Sequence, residues 1–448
     1  MKTRIESRGR LIYECSLEGE TRKDDVYPAH PNGIPVSQNR WLIVYATRGW
    51  RCVDDDRSIV YQLREDRPDG KLIAEGMISA SRDDWDPFGD GSAYVLQHGS
   101  PVAFGVPKGA VIYNKPAINA NVFAIKWRMK AVGILNPVTN VIERDLQNQR
   151  RTQGVEWIQI ALNDSEDDIE ILQPKRSFRQ TGYEEGEAFC KEATWMNQTF
   201  IQPVPYNRDC TEWVDVNSFD EGCIAPIKHR FNPKTMLYEW VETGEILGEV
   251  SWRQSEASIV RSGESWIICS RAEQKGTDKK ATGWYRMEDP FGEISGPVFT
   301  TNPATPSPRT LYACADGVLR YFGGDPIFSP YGFGRNPLYC WDIDSDSLAP
   351  TSRKIVFDAI TAGVLPEETI PTIDMCKLLP HGGGREQFFL HRVRTRNVSH
   401  TYTNLEEGAK VAKAYALPSI RDEWKEGQGI YYGVIRYPDE MEAAWEYE

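Results

Sequence analysis

The chain has 448 residues, with 52 Lys and Arg against 65 Asp and Glu, a formal net charge of -13. That balance argues against nucleic acid and anionic membrane surfaces as partners and serves chiefly to keep the protein soluble. With 14 Trp, 20 Tyr and 16 Phe punctuated by 36 Gly and 28 Pro, the composition favours short strands and turns over long helices.

The nine cysteines are scattered, with no CxxC and no metal-like spacing to His. Their odd number forbids complete internal pairing. Cys223, Cys269, Cys314 and Cys340 lie in apolar runs, where a thiol behaves as a small hydrophobe. The N-terminus, MKTRIESRGRLIYEC, has no apolar core of a signal peptide, and no apolar run approaches the roughly 18 residues of a membrane helix. The expectation is a reduced, cytoplasmic protein, or a secreted one if a leader has been removed. No cofactor is called for: GFGRNP and HGGGRE match neither phosphate-loop pattern, and only a structural calcium ion in an Asp-rich loop is left open.

In chain order, residues 30–76 give Ile34-Pro35-Val36, a strand-like run from Trp41 to Tyr45, a charged loop over 47–57, a second run from Ser58 to Leu63, a Pro-Asp-Gly turn and a returning run to Gly76. This is the pattern of an antiparallel meander. It recurs. A second unit starts at HGSPVAFGVP and runs through NVFAIKWRM, a polar excursion over 130–154, VEWIQIALND and IEILQP. A third is expected to begin near EWVDVNSF, followed by CIAPIKHRF and MLYEWVE; a fourth holds ASIVRSGESWIICSRA and GWYRMEDPFGEISGPV. RTLYACADGVLRYFGGD and NPLYCWDIDSDSLAPTSRKIVFDA make a fifth. IDMCKLLPHGGGREQFFLHRVRTR, a helix-like segment over 404–416 and GIYYGVIRYPDE make a sixth. This last unit lacks an outer strand, while GRLIYEC at 9–15 is a strand without a unit. One all-β domain spanning 1–448 follows: a six-bladed β-propeller closed by an N-terminal strand, with seven blades as the alternative if 176–206 hides further strands.

In such blades the turns joining strands 1–2 and 3–4 share one side of the disc. The 2–3 loops and inter-blade links share the other, and here they are the long ones, where a site is expected. Strand beginnings place His30, Asn32, His98, Arg253, Arg309 and Asp374 there. Second-strand ends add Arg48, Arg128, His229, Arg271, Asp325, His391 and Arg392. The 47–57 loop adds Arg51 and Asp54 to Asp56, and the first link adds Trp85 and Asp86.

The layout resembles the sialidase and BNR-repeat propeller superfamily. HPNGIPVSQNRWLIVY (30–45) stands where that superfamily has its Arg-Ile-Pro start and first strands, with Ile34-Pro35 retained and Gly33 in the Arg position. DDDRSIVYQLRED resembles the third-strand segment that carries the acid/base Asp. The resemblance implies Asp56, or next to it Asp55, as acid/base, and Arg48, Arg253 and Arg309 as loose counterparts of three substrate-binding arginines. No turn matches the Asp-box, and no Tyr nucleophile or Glu partner is matched. The implied protein is therefore a divergent relative acting on another sugar.

Three functions fit these residues. In a glycoside hydrolase acting on an acidic or uronate-containing carbohydrate, Asp56 protonates the leaving oxygen, with Asp55 and His98 as further catalytic candidates. Its substrate is held by His30, Arg48, Arg51, Trp85, Asp86, Arg253, Arg271, Arg309 and His391, since Arg grips carboxylates through a bidentate fork. In a polysaccharide lyase, His98, His30 or Tyr331 removes the α-proton of a uronate. In a non-catalytic carbohydrate- or protein-binding propeller, the mark is an exposed apolar patch on the disc.

Overall fold

The computed structural model describes residues 2–14, 27–48, 56–79, 94–116, 121–136, 141–143, 154–179, 187–188, 196–198, 203–219, 222–277, 279–303, 308, 310–325, 335–365, 371–395, 427 and 429–447. Among them there is no α-helix, and six small sheets form a ring, a six-bladed β-propeller.

Blade 1 consists of Tyr27–Ser37, Arg40–Arg48, Asp56–Glu65 and Leu72–Ser79, paired in sequence order. Its second strand is apolar on both faces for a reason. Leu42, Val44 and Ala46 pack with Ala103, Ile125 and Trp127 of blade 2, while Trp41, Ile43 and Tyr45 pack with Leu379, Leu390 and Ile430 of blade 6. A strand covered on both sides reads as a continuous apolar run. Full burial of Leu42, Ile43 and Val44 is worth about 1.5–3 kcal/mol each.

Blade 2 is built from Tyr94–Val106, Val122–Asn136, Gly154–Leu162 and Ile169–Arg179. The 130–154 excursion is in part a continuation of the second strand, onto which Val141–Glu143 folds back. Blade 4 (Trp252–Ser262 to Ser295–Thr300) and blade 5 (Thr310–Ala313 to Pro350–Phe357) are regular meanders. In blade 6, Pro371–Leu378, Gly384–Thr395 and Gly429–Met441 are completed by Arg4–Glu14, with Arg4 opposite Arg436. The ring is closed by its N-terminal strand, as the unpaired GRLIYEC implies.

Blade 3 departs from expectation. Its inner edge comes from the 176–206 stretch, as two short pieces, Met196–Gln198 and Val204–Pro205, that pair with Glu212–Phe219. EWVDVNSF is thus the second strand and CIAPIKHRF, Cys223–Asn232, the third. The described strands of this stretch complete a blade and build no seventh.

The inner strands share a device. In blades 1, 2, 4 and 6 the pairing with the second strand slips so that two inner residues face one outer residue. A residue in each slip has positive φ: His30 (50°), Ser100 (52°), Glu256 (48°) and Met375 (55°). Such bulges bend the strand and re-aim the side chains beside them. Just past the bulge, Asn32 Oδ1 accepts the Ala103 N–H of the next blade at 3.3 Å, and Ser258 Oγ accepts that of Leu311 at 3.2 Å. The same position in blade 6 is Lys377, a donor that cannot play this part. Its ammonium is fully buried with no hydrogen-bond partner among the described residues, and burial pushes its pKa down to about 7.

On the turn side, Ile34, Gly105, Val204, Ile259, Ala313 and Leu378 surround an axial cavity of about 230 Å³. Ala444 and Trp445 of the C-terminal segment also line it. That segment crosses the turn face and ends as Glu446–Tyr447, paired with Ala110–Ile112 of blade 2.

Candidate functional site at the loop face

The inner strands begin, and the second strands end, on the loop face. The pair of residues immediately before each bulge lies there: Ala29 with Ala46, Gly99 with Arg128, Ser255 with Arg271, and Asp374 with Arg392. In blades 2, 4 and 6 the second-strand partner is an arginine at the same register position. Three arginine backbones from alternate blades therefore occupy equivalent register positions, and the side chains of Arg128 and Arg392 are buried there.

Each is held differently. Arg392 grips Asp374 in a fork, Nε to Oδ1 at 2.8 Å and Nη2 to Oδ2 at 3.0 Å. Arg335, from the 2–3 loop of blade 5, adds Nη1 to Oδ2 at 2.7 Å. Asp374 is buried, and both its oxygens are engaged by charged donors, which suits it to orienting arginines rather than to delivering a proton. Arg271 donates to Glu256 at 2.9 Å and to Glu273 at 2.6 Å. Glu256 beside it raises the Arg271 pKa further, so that guanidinium is permanently charged. The Glu256 backbone N–H in turn donates to Ser218 Oγ of blade 3 at 2.9 Å.

Arg128 lies beside a histidine. A Cβ added at Gly99 would lie 3.3 Å from Arg128 Nη2 and 3.6 Å from His30 Nδ1, so the missing side chain lets guanidinium and imidazole flank one backbone position. His30 Nδ1 accepts the Ser100 N–H at 3.0 Å. In the neutral ring that bond places the proton on Nε2, which makes His30 a donor rather than a base.

The remaining sequence-predicted residues fall as follows. Arg253, the second residue of the inner strand of blade 4, is exposed, packs over Gly222 and has no ion pair among the described residues. Asp325 of blade 5 pairs with Arg353 at 3.1 Å. The backbones of Arg48 and Asp56 are Cα partners at the loop end of blade 1, and that of His98 is opposite Met129 at the start of blade 2. Their side chains, and Asp55, Arg51, Trp85, Asp86, Arg309, Tyr331 and the 404–416 segment, lie outside the described residues.

Two of the predicted histidines are sealed inside the ring. His391 is fully buried, with Nε2 2.8 Å from Ser7 Oγ of the N-terminal strand and its ring stacked on Tyr431. Burial pushes its pKa down to about 3, leaving a neutral clasp for the closing strand rather than a sugar contact. His229, displaced by the register of blade 3, is on a third strand in the seam with blade 2. There it meets Asp215 Oδ1 at 3.5 Å and Lys126 Nζ at 3.4 Å, and Lys126 donates to Asp215. Burial, and then the Lys126 charge, lower its pKa, so it is neutral beside a buried ion pair.

Sequence reasoning missed Glu256, Glu273, Gly99 and Arg335. The first three follow only from the bulges, of which His30-Pro31 and Ser100-Pro101 at matching offsets are the visible trace.

No family model and no curated protein matches the chain. Solved structures do. A Dyadobacter fermentans protein of unknown function shares 8% identity at TM-score 0.50, over 96% of this chain and 99% of that one. A Hadza microbial sialidase shares 10% at TM-score 0.51, over 84% of this chain and 65% of that one. A Trypanosoma rangeli sialidase mutant displaying trans-sialidase activity shares 9% at TM-score 0.51, over 96% of this chain and 57% of that one. The chain thus spans less than two thirds of either sialidase. In fold the chain is a six-bladed β-propeller similar to these sialidase structures.

Proposed function

We propose that the loop-face mouth binds carbohydrate and that the protein is a glycoside hydrolase acting on an acidic or uronate-containing sugar. The observation that carries this reading is the set of register-equivalent arginines, Arg128, Arg271 and Arg392, at one end of the axis of a sialidase-like fold. Arginine binds a sugar carboxylate through a planar fork, and an arginine fixed beforehand, as Arg271 is by Glu256, loses little freedom on binding. The exposed Arg253 would contact the substrate, with the buried Arg128 and His30 behind it. Asp56, opposite Arg48, would act as acid/base, protonating the leaving oxygen, with Asp55 beside it and His98 at the neighbouring strand start.

The test is a panel of uronate- and sialate-bearing glycosides. Asp56→Asn is expected to lower kcat on the cleaved substrate at least about 100-fold. Cleavage that survives unchanged in both Asp56→Asn and Asp55→Asn removes the catalytic assignment. A product absorbing as an unsaturated uronide would favour the lyase reading, against which the Nδ1 hydrogen bond of His30 already counts for that residue.

A further inference from the structure

The loop end of blade 4 carries more than the arginine beside its bulge. The inner strand begins at Trp252, on a turn in which the Trp252 N–H donates to the Glu249 carbonyl at 3.1 Å. That turn leads in from blade 3 and leaves Val250 90% exposed. The second and third strands, Ser265–Gln274 and Lys280–Met287, are joined by a loop that meets it. The Lys275 N–H donates to the Ser251 carbonyl at 2.9 Å, and the Gln274 N–H to the Lys279 carbonyl at 2.9 Å. The blade's entry and its 2–3 loop are thereby tied into one ledge beside Arg253.

The ledge is basic on an acidic protein. Residues 271–280, RAEQKGTDKK, hold four cations against two acids in a chain whose net charge is -13. Lys275 and Lys279, like Arg253, are exposed and have no ion pair among the described residues. Of the acids nearby, Glu256 and Glu273 are both committed to Arg271, Glu249 is exposed on the entry turn, and Asp278 lies outside the described residues. Burial works to raise the Glu273 pKa, but Arg271, and after it Lys280 and Arg253, lower it on balance. That carboxylate is therefore already surrounded by cations, and the outer ones remain available to a further anion. Exposed cations within a Debye length of one another, about 8 Å at physiological salt, act on a polyanion together.

An aromatic pair crosses the same ledge. The Trp252 and Phe299 rings stack with centroids 4.6 Å apart and planes 18° from parallel, and both are partly exposed. Trp252 is on the first strand and Phe299 on the fourth, so the pair reaches from the inner edge of the blade to its outer edge. The positions between them on that face, Ala272, Ala281 and Gly283, have almost no side chain. A Cβ added at Gly283 would lie 3.1 Å from the Phe299 ring.

We propose that this ledge binds a chain of uronate residues, so that the acidic carbohydrate is a polymer running outward from the mouth over blade 4. Such a chain carries a carboxylate on each ring for Arg253, Lys275 and Lys279, and apolar ring faces for the Trp252–Phe299 pair. The sugar class rests on the carbohydrate reading of the loop face, whereas the ledge rests on its own charges and rings. The negative charge of the rest of the molecule repels a polyanion, which favours binding here.

The experiment is fluorescence polarisation of labelled galacturonate oligomers of increasing length with the full chain, at low and at raised salt. Galactan oligomers and dextran sulfate are the neutral and the sulfated arms. Affinity for the uronate chain is expected to rise with its length and to fall with salt. Lys275→Glu combined with Lys279→Glu is expected to weaken binding of the longest oligomer at least about fivefold and to flatten its salt dependence. Trp252→Ala is expected to weaken it with the salt dependence intact. Thermal midpoints show whether a variant has kept its fold; if Trp252→Ala has not, the exposed lysines decide. Affinity that does not rise with length, a lysine variant that binds like wild type, galactan bound as well as the uronate chain, or dextran sulfate bound with no uronate bound overturns the proposal. Binding is read without turnover. A chain that binds uronate oligomers through the two lysines yet cleaves no glycoside keeps the ledge and loses the hydrolase reading. One that cleaves short uronides but gains no affinity with length does the reverse.

Discussion

The two ends of each inner strand are chemically different, and blade 6 shows the change within one strand. Asp374, near the loop end, is fixed by two arginines; Leu378, at the turn end, lines the apolar axial cavity. Blade 1 passes from His30 to Ile34, and blade 4 from Glu256 to Ile259, in the same way. The bulge lies near the changeover. Beyond it, inner residues pack or bond from blade to blade; within it or just before it, they organise charged groups at the loop face. The lesson is that one short strand both holds the ring together and equips the site, and the two duties respond to different perturbations.

Asp374→Ala should have the largest effect. It leaves the buried Arg392, and Arg335 with it, without their carboxylate, and breaking a buried pair from one side costs about 3–5 kcal/mol. Chemical denaturation checks it. Asp374→Ala combined with Arg392→Met should recover part of the loss; no recovery would mean that the carboxylate serves more than this pairing. At the other end, Leu378→Ala should cost about 2–3 kcal/mol, toward the lower part of the range for buried leucines, because it only enlarges a cavity already present. Unlike the Asp374 loss, this one should not change with salt or pH. If both variants show the same pH and salt dependence, the division between the ends is not real.

Lys377 sits at the changeover and tests it in the opposite direction. Its folded-state pKa, about 7, lies below the ordinary 10.5, so between those values the unfolded chain binds the proton more tightly. Stability from this residue is therefore fully present above about pH 10.5, falls as pH drops toward 7, and is lost below it. Lys377→Met should stabilise the protein by about 1–3 kcal/mol at pH 6 and flatten the pH dependence of stability between 7 and 10. A variant that is destabilised at every pH would show that the ammonium has a partner after all.

The legibility of these features in the sequence follows their physics. The blades could be read because strands packed on both sides produce runs such as WLIVY, and the unpaired GRLIYEC disclosed the closing strand. Blade 3 was misread because its inner edge is broken into pieces too short to show periodicity, which shifted His229 from a second strand to a third. Arg128, Arg271 and Arg392 could be assigned to one face, but not to one level, because bulges leave almost no mark in composition. His391 was misassigned because strand position does not reveal which side chains turn into a seam. The turn-face strap was not foreseen at all: MEAAWEYE reads as a polar tail until Trp445 is seen against the axis.

Arg253 gives the smallest effect on stability and the sharpest test of the mouth. Exposed and without an ion pair among the described residues, it contributes little to the fold, and Arg253→Ala should alter stability by no more than about 0.5 kcal/mol. If it contacts an acidic sugar, KM should rise roughly tenfold on a uronate-bearing substrate with kcat nearly unchanged, the signature of an interaction made equally in ground and transition states. Arg253→Lys should recover only part of that, because an ammonium does not reproduce the planar fork. On a neutral glycoside the same variants should behave as wild type. Equal losses on neutral and acidic substrates would assign Arg253 to shaping the mouth and move carboxylate recognition to Arg128 and the other bulge-level arginines.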